Sequence, residues 1–279
     1  MIAGTSLAAS GPVPRTEPPG VIVEIGGIPI LLRSDNAEFR AMVEQRYAGF
    51  LNPSAKAADE FRIYLNPPPT KIPDEDAHVF RHDSIWRIQR GDFRAEWDAE
   101  ARRGFVRQSA NPYAIDTVLR ITHSLVLAGQ RGFLLHAASA VRDGRAFLFA
   151  GASGAGKTTI ARLAPEDAKV LTDEVSYVRK QEGSYSAFGT PFAGELSKVG
   201  ENMRAPISAL YLLAKGSRNR IEPVARAEAG RALLANILFF AEDAEFVRLV
   251  FESACDFVSQ VPVYRLTFAP NPEVWEMIR

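Results

Sequence analysis

The chain has little of what defines several large protein classes. Cys255 is its only cysteine, which excludes a disulfide framework within the chain and argues against a cysteine-based zinc site. It lies in a helical pattern, where we expect a small buried apolar side chain. Lysines and arginines number 33, as do aspartates and glutamates. The basic excess typical of proteins whose main partner is nucleic acid is therefore missing.

Long apolar runs are also missing. No run approaches the roughly 18 residues needed to span a bilayer, so we expect no membrane partner. Residues 1–20 are rich in Ala, Ser, Gly and Pro but lack the basic start and apolar centre of a signal peptide. We therefore predict a flexible tail at 1–20 and a cytoplasmic protein.

The most informative feature that is present is a glycine-rich segment. Residues 151–158 read GASGAGKT and fit the phosphate-binding pattern G-x-x-x-x-G-K-[ST] at every fixed position. Glycines let the backbone curl so that its N–H groups point at phosphate oxygens. Lys157 supplies a positive charge for the terminal phosphates, and Thr158 supplies a hydroxyl for Mg²⁺. A glycine-rich turn that binds nothing needs neither residue.

The flanks of this loop supply the context that the motif requires. Residues 145–150 form a short apolar run typical of a buried strand, and residues 158–164 favour a helix closed by Pro165. Phosphates would then lie at a helix N-terminus, where the dipole favours anions. We predict ATP or another nucleoside di- or triphosphate, with Mg²⁺, as cofactors. The predicted nucleotide-binding residues are Gly151, Ser153, Gly154, Ala155, Gly156, Lys157, Thr158 and Thr159.

The rest of the chain divides into two predicted units. In an α+β domain at 21–131, the patterns predict a hairpin, a helix that Asp35 caps and that runs to about Gly49, a strand, a four-stranded meander and a helix that opens at Pro112 and ends near Gly129. The predicted strands are 21–25, 28–32, 61–65, 78–82, 85–89, 92–98 and 104–108. A catalytic α/β domain at 132–279 follows. Its further predicted strands are 132–141, 168–172, 175–178, 207–214, 220–224 and 263–268, and its helices are 227–240, 243–260 and a short one from Pro272.

Asp173 is a second candidate. It follows Thr158 by fifteen positions, which leaves room for one helix and one strand, so we place it at the end of a strand next to the phosphate-loop strand. Ligands collect at such ends in open α/β sheets. A carboxylate there can hold Mg²⁺ or take a proton from an incoming hydroxyl, and Glu174 adds a second carboxylate. The alternative is that Asp173 only caps a turn.

The histidines differ in position. His136 lies on the strand that precedes the loop, where a neutral imidazole could orient phosphates or assist proton transfer; the alternative is a core histidine. His78, His82 and His123 show no metal-ligand spacing, and we expect them at the surface.

Residues 189–195 form a loop between glycines, and such loops often carry substrate contacts. Thr190 and Glu195 are candidate contacts, and a purely structural crossover is the alternative. Arg204, after this loop, is either an anion-binding group or a solvated side chain.

Three segments together resemble the C-terminal catalytic domain of HPr kinase/phosphorylase. They are Leu135-His136-Ala137, the loop at 151–158, and the run from Val170 to Glu174, within residues 132–195. The family has a histidine before a G-x-S-G-x-G-K-[ST] loop and an Asp-Asp pair after it; here the second acid is Glu174. The chain looks more like the shorter HPr-kinase-like proteins of bacterial peptide-modification clusters, including lasso-peptide kinases.

The resemblance implies a P-loop kinase domain of the HPr kinase and phosphoenolpyruvate carboxykinase type, preceded by a smaller α+β domain. By position, the catalytic residues would be Lys157, which also binds phosphates, and Asp173, the catalytic carboxylate, with His136 beside it. Thr158, Asp173 and Glu174 would hold the metal. The implied activity is transfer of a phosphoryl group to a serine of a peptide or protein. The resemblance also implies a homo-oligomer, because HPr kinases are hexameric. The alternatives are a nucleotide-binding switch with little turnover and a small-molecule kinase.

Overall fold

Two β-sheets organise the protein, which we describe from a computed structural model of residues 17–68, 76–192, 194, 196 and 200–278. A sheet of seven strands precedes a sheet of nine strands, so the architecture is mixed α/β. Most of the tail predicted at residues 1–20 lies outside the described residues. Among the helices of the described ranges, none combines the length and the apolar character needed to cross a bilayer.

The first sheet confirms the predicted hairpin and meander. Its spatial order is β1-β2-β3-β7-β6-β5-β4, and every neighbouring pair is antiparallel except β2–β3 and β3–β7. The strand that separates the hairpin from the meander is therefore parallel to both of its neighbours. The strands are β1 (Gly20–Ile25), β2 (Ile28–Ser34), β3 (Asp59–Leu65), β4 (His78–His82), β5 (Ile85–Arg90), β6 (Phe93–Asp98) and β7 (Arg103–Gln108).

The first helix, α1 (Ala37–Arg46), is shorter than predicted. Its N-cap is Asn36, whose Oδ1 accepts a hydrogen bond from the Phe39 amide at 2.7 Å. The predicted cap at Asp35 was therefore wrong by one residue, because Asn36 takes the extended backbone conformation that a cap requires.

The second helix, α2 (Pro112–Ala128), begins and ends as predicted. Asn111 caps it, and its apolar face is buried against both sheets. Asp116 on this helix is also buried, and it accepts hydrogen bonds from Arg46 and from the Tyr47 hydroxyl. A buried carboxylate needs such partners, so these bonds fix the end of α1 against α2.

The second sheet is mixed. Strands β9, β13 and β16 are parallel to one another, and the other pairings are antiparallel. The long strand β8 pairs with four strands, including β9 and β10 on opposite edges of its second half. The strands are β8 (Gly132–Arg142), β9 (Arg145–Ala150), β10 (Lys169–Thr172), β11 (Val175–Gln181), β12 (Ser184–Phe188), β13 (Arg204–Lys215), β14 (Arg220–Pro223), β15 (Ile237–Leu238) and β16 (Val263–Phe268).

Three helices accompany this sheet: α3 (Lys157–Arg162), α4 (Arg226–Leu234) and α5 (Ala244–Gln260). The helix predicted at 227–240 was too long, because β15 instead pairs with β8. The predicted short helix at Pro272 is a 3₁₀ helix.

The apolar core is continuous across the predicted boundary between residues 131 and 132. The cluster that contains the first sheet and α2 also includes Leu134, Val175 and Tyr177 of the second sheet. The interface is therefore built from buried side chains, and α2 lies within it.

Two expectations about burial were wrong. Cys255 is exposed, because the buried face of α5 is formed by Val250, Ala254 and Phe257. His123 is fully buried, with Nδ1 3.2 Å from the Tyr177 hydroxyl. His78 and His82 are exposed, as expected.

His123 makes stability depend on pH. Burial lowers its pKa from 6.5 to about 3, so between these values the unfolded chain binds a proton that the folded chain does not. This difference destabilises the fold as the pH falls, by about 2 kcal/mol between pH 7.5 and pH 5. Urea unfolding at pH 7.5 and pH 5 measures this change in the free energy of unfolding for the wild type and for His123→Gln. The glutamine keeps a hydrogen-bond partner for Tyr177 but does not titrate. An equal pH dependence in both proteins would contradict the assignment.

Candidate functional site

The glycine-rich loop lies between β9 and α3. Gly154 and Gly156 have φ values of +75° and +110°, a backbone region that side chains disfavour. A Cβ at Gly156 would also lie 2.7 Å from the ring of Phe268. Glycine is therefore required at this position both by conformation and by space.

Lys157 is held against the loop. Its side chain is largely buried, and Nζ donates to the carbonyl oxygens of Gly151 at 2.9 Å and of Ala152 at 3.2 Å. The desolvation cost of burying an ammonium is offset by such bonds and by any anion that reaches the loop. The loop thus carries a fixed positive charge.

The loop faces a cavity of about 540 Å³. Gly151 and Ala155 are not among its lining residues; the Ala155 amide donates to Ala152 at 3.0 Å and so helps to shape the loop. The cavity collects loop residues and distant residues in one place. Its lining is His136, Ser153, Gly154, Gly156, Lys157, Thr158, Thr159, Asp173, Glu174 and Gly194.

Asp173 reaches this cavity from a strand that we predicted to adjoin the loop strand. That prediction was wrong, because β8 lies between β9 and β10. Both strands are antiparallel to β8, so they run in the same direction and their carboxyl ends meet at one edge. Asp173 still lies opposite the loop for this reason.

The carboxylate of Asp173 is buried and oriented by the main-chain amides of Gly194 and Leu196. Oδ1 accepts from the Gly194 amide at 3.0 Å, and Oδ2 accepts from the Leu196 amide at 2.9 Å. A Cβ at Gly194 would lie 2.8 Å from Oδ2. Because carboxylate oxygens accept more than one bond, both remain able to face a cation or a hydroxyl.

Glu174 has a cationic neighbour that the sequence did not indicate. Nη2 of Arg120, on α2, lies 3.5 Å from Oε2 of Glu174. The guanidinium also stacks on the ring of buried Phe192, 4.8 Å from its centroid. An arginine between apolar residues of a buried helix was the only sequence signal.

His136 lines the same cavity. Burial lowers its pKa, as does the charge of Lys157, while Glu174 raises it. The net pKa lies below the ordinary value of 6.5, so the imidazole is neutral at pH 7. A neutral ring can accept a proton.

Thr190 and Arg204 do not join the cavity. Thr190 is buried and donates to the Val175 carbonyl at 2.9 Å, which is a structural role. Arg204 is exposed and donates to Gln181 at 3.0 Å. Glu195 lies outside the described residues.

No cluster of three or more His, Cys, Asp or Glu side chains suited to a metal ion occurs in the described ranges. The donors at the cavity are instead the Thr158 hydroxyl and the carboxylates of Asp173 and Glu174. This set suits Mg²⁺, which usually takes one or two carboxylates, substrate phosphates and waters.

Comparison with known proteins gives three findings. Residues 113–279 match the family described as SynChlorMet cassette protein ScmC. The chain is similar to the structure of the Hpr(Ser) kinase/phosphatase from Coxiella burnetii, with 13% identity, 52% of this chain and 87% of that chain covered, and a TM-score of 0.30. No curated protein matches the chain.

The ScmC match begins inside α2 and includes every residue of the cavity described above. The first sheet lies outside it. Because the matched residues make up more than half of the chain, the protein belongs to the family of SynChlorMet cassette protein ScmC.

Proposed function

We propose that this protein is a nucleotide-dependent kinase that transfers a phosphoryl group to a serine hydroxyl of a peptide or protein. The observation that carries the proposal is the single cavity in which the loop and Lys157 face Asp173, Glu174 and His136. A carboxylate and an imidazole on the opposite wall offer a base for an acceptor hydroxyl, which nucleotide binding alone does not require. The acceptor class rests on the resemblance of the loop, His136 and Asp173 to HPr kinases.

The loop and the carboxylates have separate tasks in this proposal. The amides of the loop and the ammonium of Lys157 bind the phosphates of ATP or another nucleotide and offset the charge that develops during transfer. Thr158, Asp173 and Glu174 would hold Mg²⁺, which neutralises phosphate charge when bound. Catalysis then consists mainly of positioning and charge stabilisation.

Asp173 is the proposed catalytic carboxylate. The serine oxygen bonds to the transferred phosphorus, the bond from that phosphorus to its bridging oxygen breaks, and the electron pair leaves with the nucleotide product. The hydroxyl proton passes to Asp173, whose orientation is fixed by the Gly194 and Leu196 amides. The neutral ring of His136, which lines the same cavity, would assist this proton transfer.

Transfer of labelled phosphate tests this function. The purified protein is incubated with Mg²⁺, ATP labelled at the γ-phosphate and serine-containing peptides. We expect label on serine, and this labelling should depend on both Asp173 and the loop at 151–158. Label on a small metabolite alone would contradict the acceptor class. Nucleotide binding without transfer to any acceptor would contradict the kinase and favour a switch.

A further inference from the structure

A second cavity, of about 490 Å³, adjoins the phosphate-loop cavity. The two cavities share His136 and Glu174 as lining residues. The side chains of His136 and Glu174 therefore form the boundary between a space that faces phosphates and a space that does not. Its other lining residues include Arg90, Thr117, Arg120, Leu238, Phe239 and Phe240.

One wall of the second cavity is apolar. Leu238, Phe239 and Phe240 follow one another where the chain leaves β15, and all three are only half-buried. Covering partly exposed phenylalanines with an apolar group lowers the free energy, because it removes apolar surface from water.

The polar groups of this cavity already have partners in the protein. Thr117 donates to the Tyr113 carbonyl at 2.9 Å, and Arg90 forms a two-bond pair with Asp92 at 2.6 and 2.9 Å. Arg120 contacts Glu174 through Nη2 at 3.5 Å, and its side chain is 25% exposed. A guanidinium has five N–H donors, so its exposed part can still donate near the boundary.

We infer that the second cavity is the acceptor site, and that it selects a peptide segment in which a large apolar residue neighbours the phosphorylated serine. This inference rests on the proposed kinase function. The apolar side chain covers Leu238, Phe239 and Phe240, and Arg120 donates to a main-chain carbonyl of the segment. The serine hydroxyl then passes His136 and Glu174 into the phosphate-loop cavity.

The apolar wall disfavours a sugar-like acceptor placed against it. A polyol needs hydrogen-bond partners for each hydroxyl that it buries, and an apolar wall supplies none. A peptide segment has a polar main chain, which suits Arg120, and an apolar side chain, which suits the wall of Leu238, Phe239 and Phe240.

Two matched peptides test the inference: acetyl-Gly-Phe-Ser-Phe-Gly-amide and acetyl-Gly-Asn-Ser-Asn-Gly-amide. With the wild-type protein and Mg·ATP, we expect kcat/KM to be about tenfold or more higher for the phenylalanine peptide. Thr117→Trp, which fills the cavity, should lower kcat/KM for that peptide by about tenfold or more without changing the affinity for Mg·ATP. Tyr113→Trp adds the same ring at an exposed position one turn earlier on α2 and serves as control.

A second variant keeps the test independent of how well Thr117→Trp folds. Phe240→Asn should remove the preference for the phenylalanine peptide. Equal kcat/KM for both peptides in the wild type, with unchanged rates in Thr117→Trp, would overturn the acceptor site and leave the kinase intact. Mg·ATP binding with no transfer to any serine peptide would overturn the kinase and the acceptor site together.

Discussion

Replacing Lys157 with alanine is expected to weaken binding of Mg·ATP by roughly 10- to 100-fold, because hydrogen bonds to charged groups contribute about 1.5–3 kcal/mol. The ammonium is the fixed positive charge of the loop, and it is largely buried beside the carbonyls of Gly151 and Ala152. The measurement is a titration with Mg·ATP followed by calorimetry.

Lys180→Ala is a matched control. Lys180 is another largely buried lysine, and its Nζ lies 2.6 Å from Asp256, away from the phosphate-loop cavity. We expect this control to bind Mg·ATP as the wild type does. Equal affinities in the wild type and Lys157→Ala would contradict the assignment of the loop.

Replacing Asp173 with asparagine is expected to lower phosphoryl transfer by about 100- to 10,000-fold, the range of a lost general base. Nucleotide binding should persist, because the loop and Lys157 are unchanged and because Thr158, Glu174 and the asparagine Oδ1 still offer oxygens to Mg²⁺. The measurement is single-turnover transfer from labelled ATP at saturating nucleotide. Transfer at the wild-type rate would show that Asp173 is not the catalytic carboxylate.

Asp173 also holds the amides of Gly194 and Leu196, so Asp173→Asn needs a control for that role. An asparagine Nδ2 would meet an amide donor where Oδ2 now accepts from Leu196. Gly194→Ala keeps the carboxylate. It disturbs the same contact, because the alanine Cβ would lie 2.8 Å from Oδ2 of Asp173. A much smaller loss of transfer in Gly194→Ala than in Asp173→Asn would show that the loss in Asp173→Asn comes from the missing carboxylate and not from a displaced loop.

The parts of the structure that were predicted correctly are local in sequence. The hairpin at Gly26 and Gly27, the meander, and the strand and helix around the loop each depend on neighbouring residues. Asn111 and Pro112 likewise marked the start of α2, because capping is decided within one turn.

The parts that were missed depend on residues that are distant in sequence. Arg120 meets Glu174 only because α2 packs on β8, which pairs with both β10 and β11, and no local pattern carries that contact. The position of β8 between β9 and β10 depends on how all the strands of the second sheet pair with one another. The burial of His123 and the exposure of Cys255 depend on which helix face meets the core, and a shift of one residue reverses such an assignment.

The second cavity lies beyond sequence reasoning for the same reason. Its walls come from β5, α2 and the segment after β15, which are joined only in the folded chain. The sequence had assigned Phe239 and Phe240 to a helix, where their role as a wall is hidden.

Calorimetric titration of the wild-type protein with ATP in the presence of Mg²⁺, at two temperatures, tests most directly whether residues 151–158 bind a nucleotide's phosphates. We predict saturable heat with one nucleotide per chain, strongly weakened in Lys157→Ala. A folded wild-type protein that gives no heat of binding with adenine or guanine nucleotides at either temperature would contradict the phosphate-binding loop, and the proposed kinase with it.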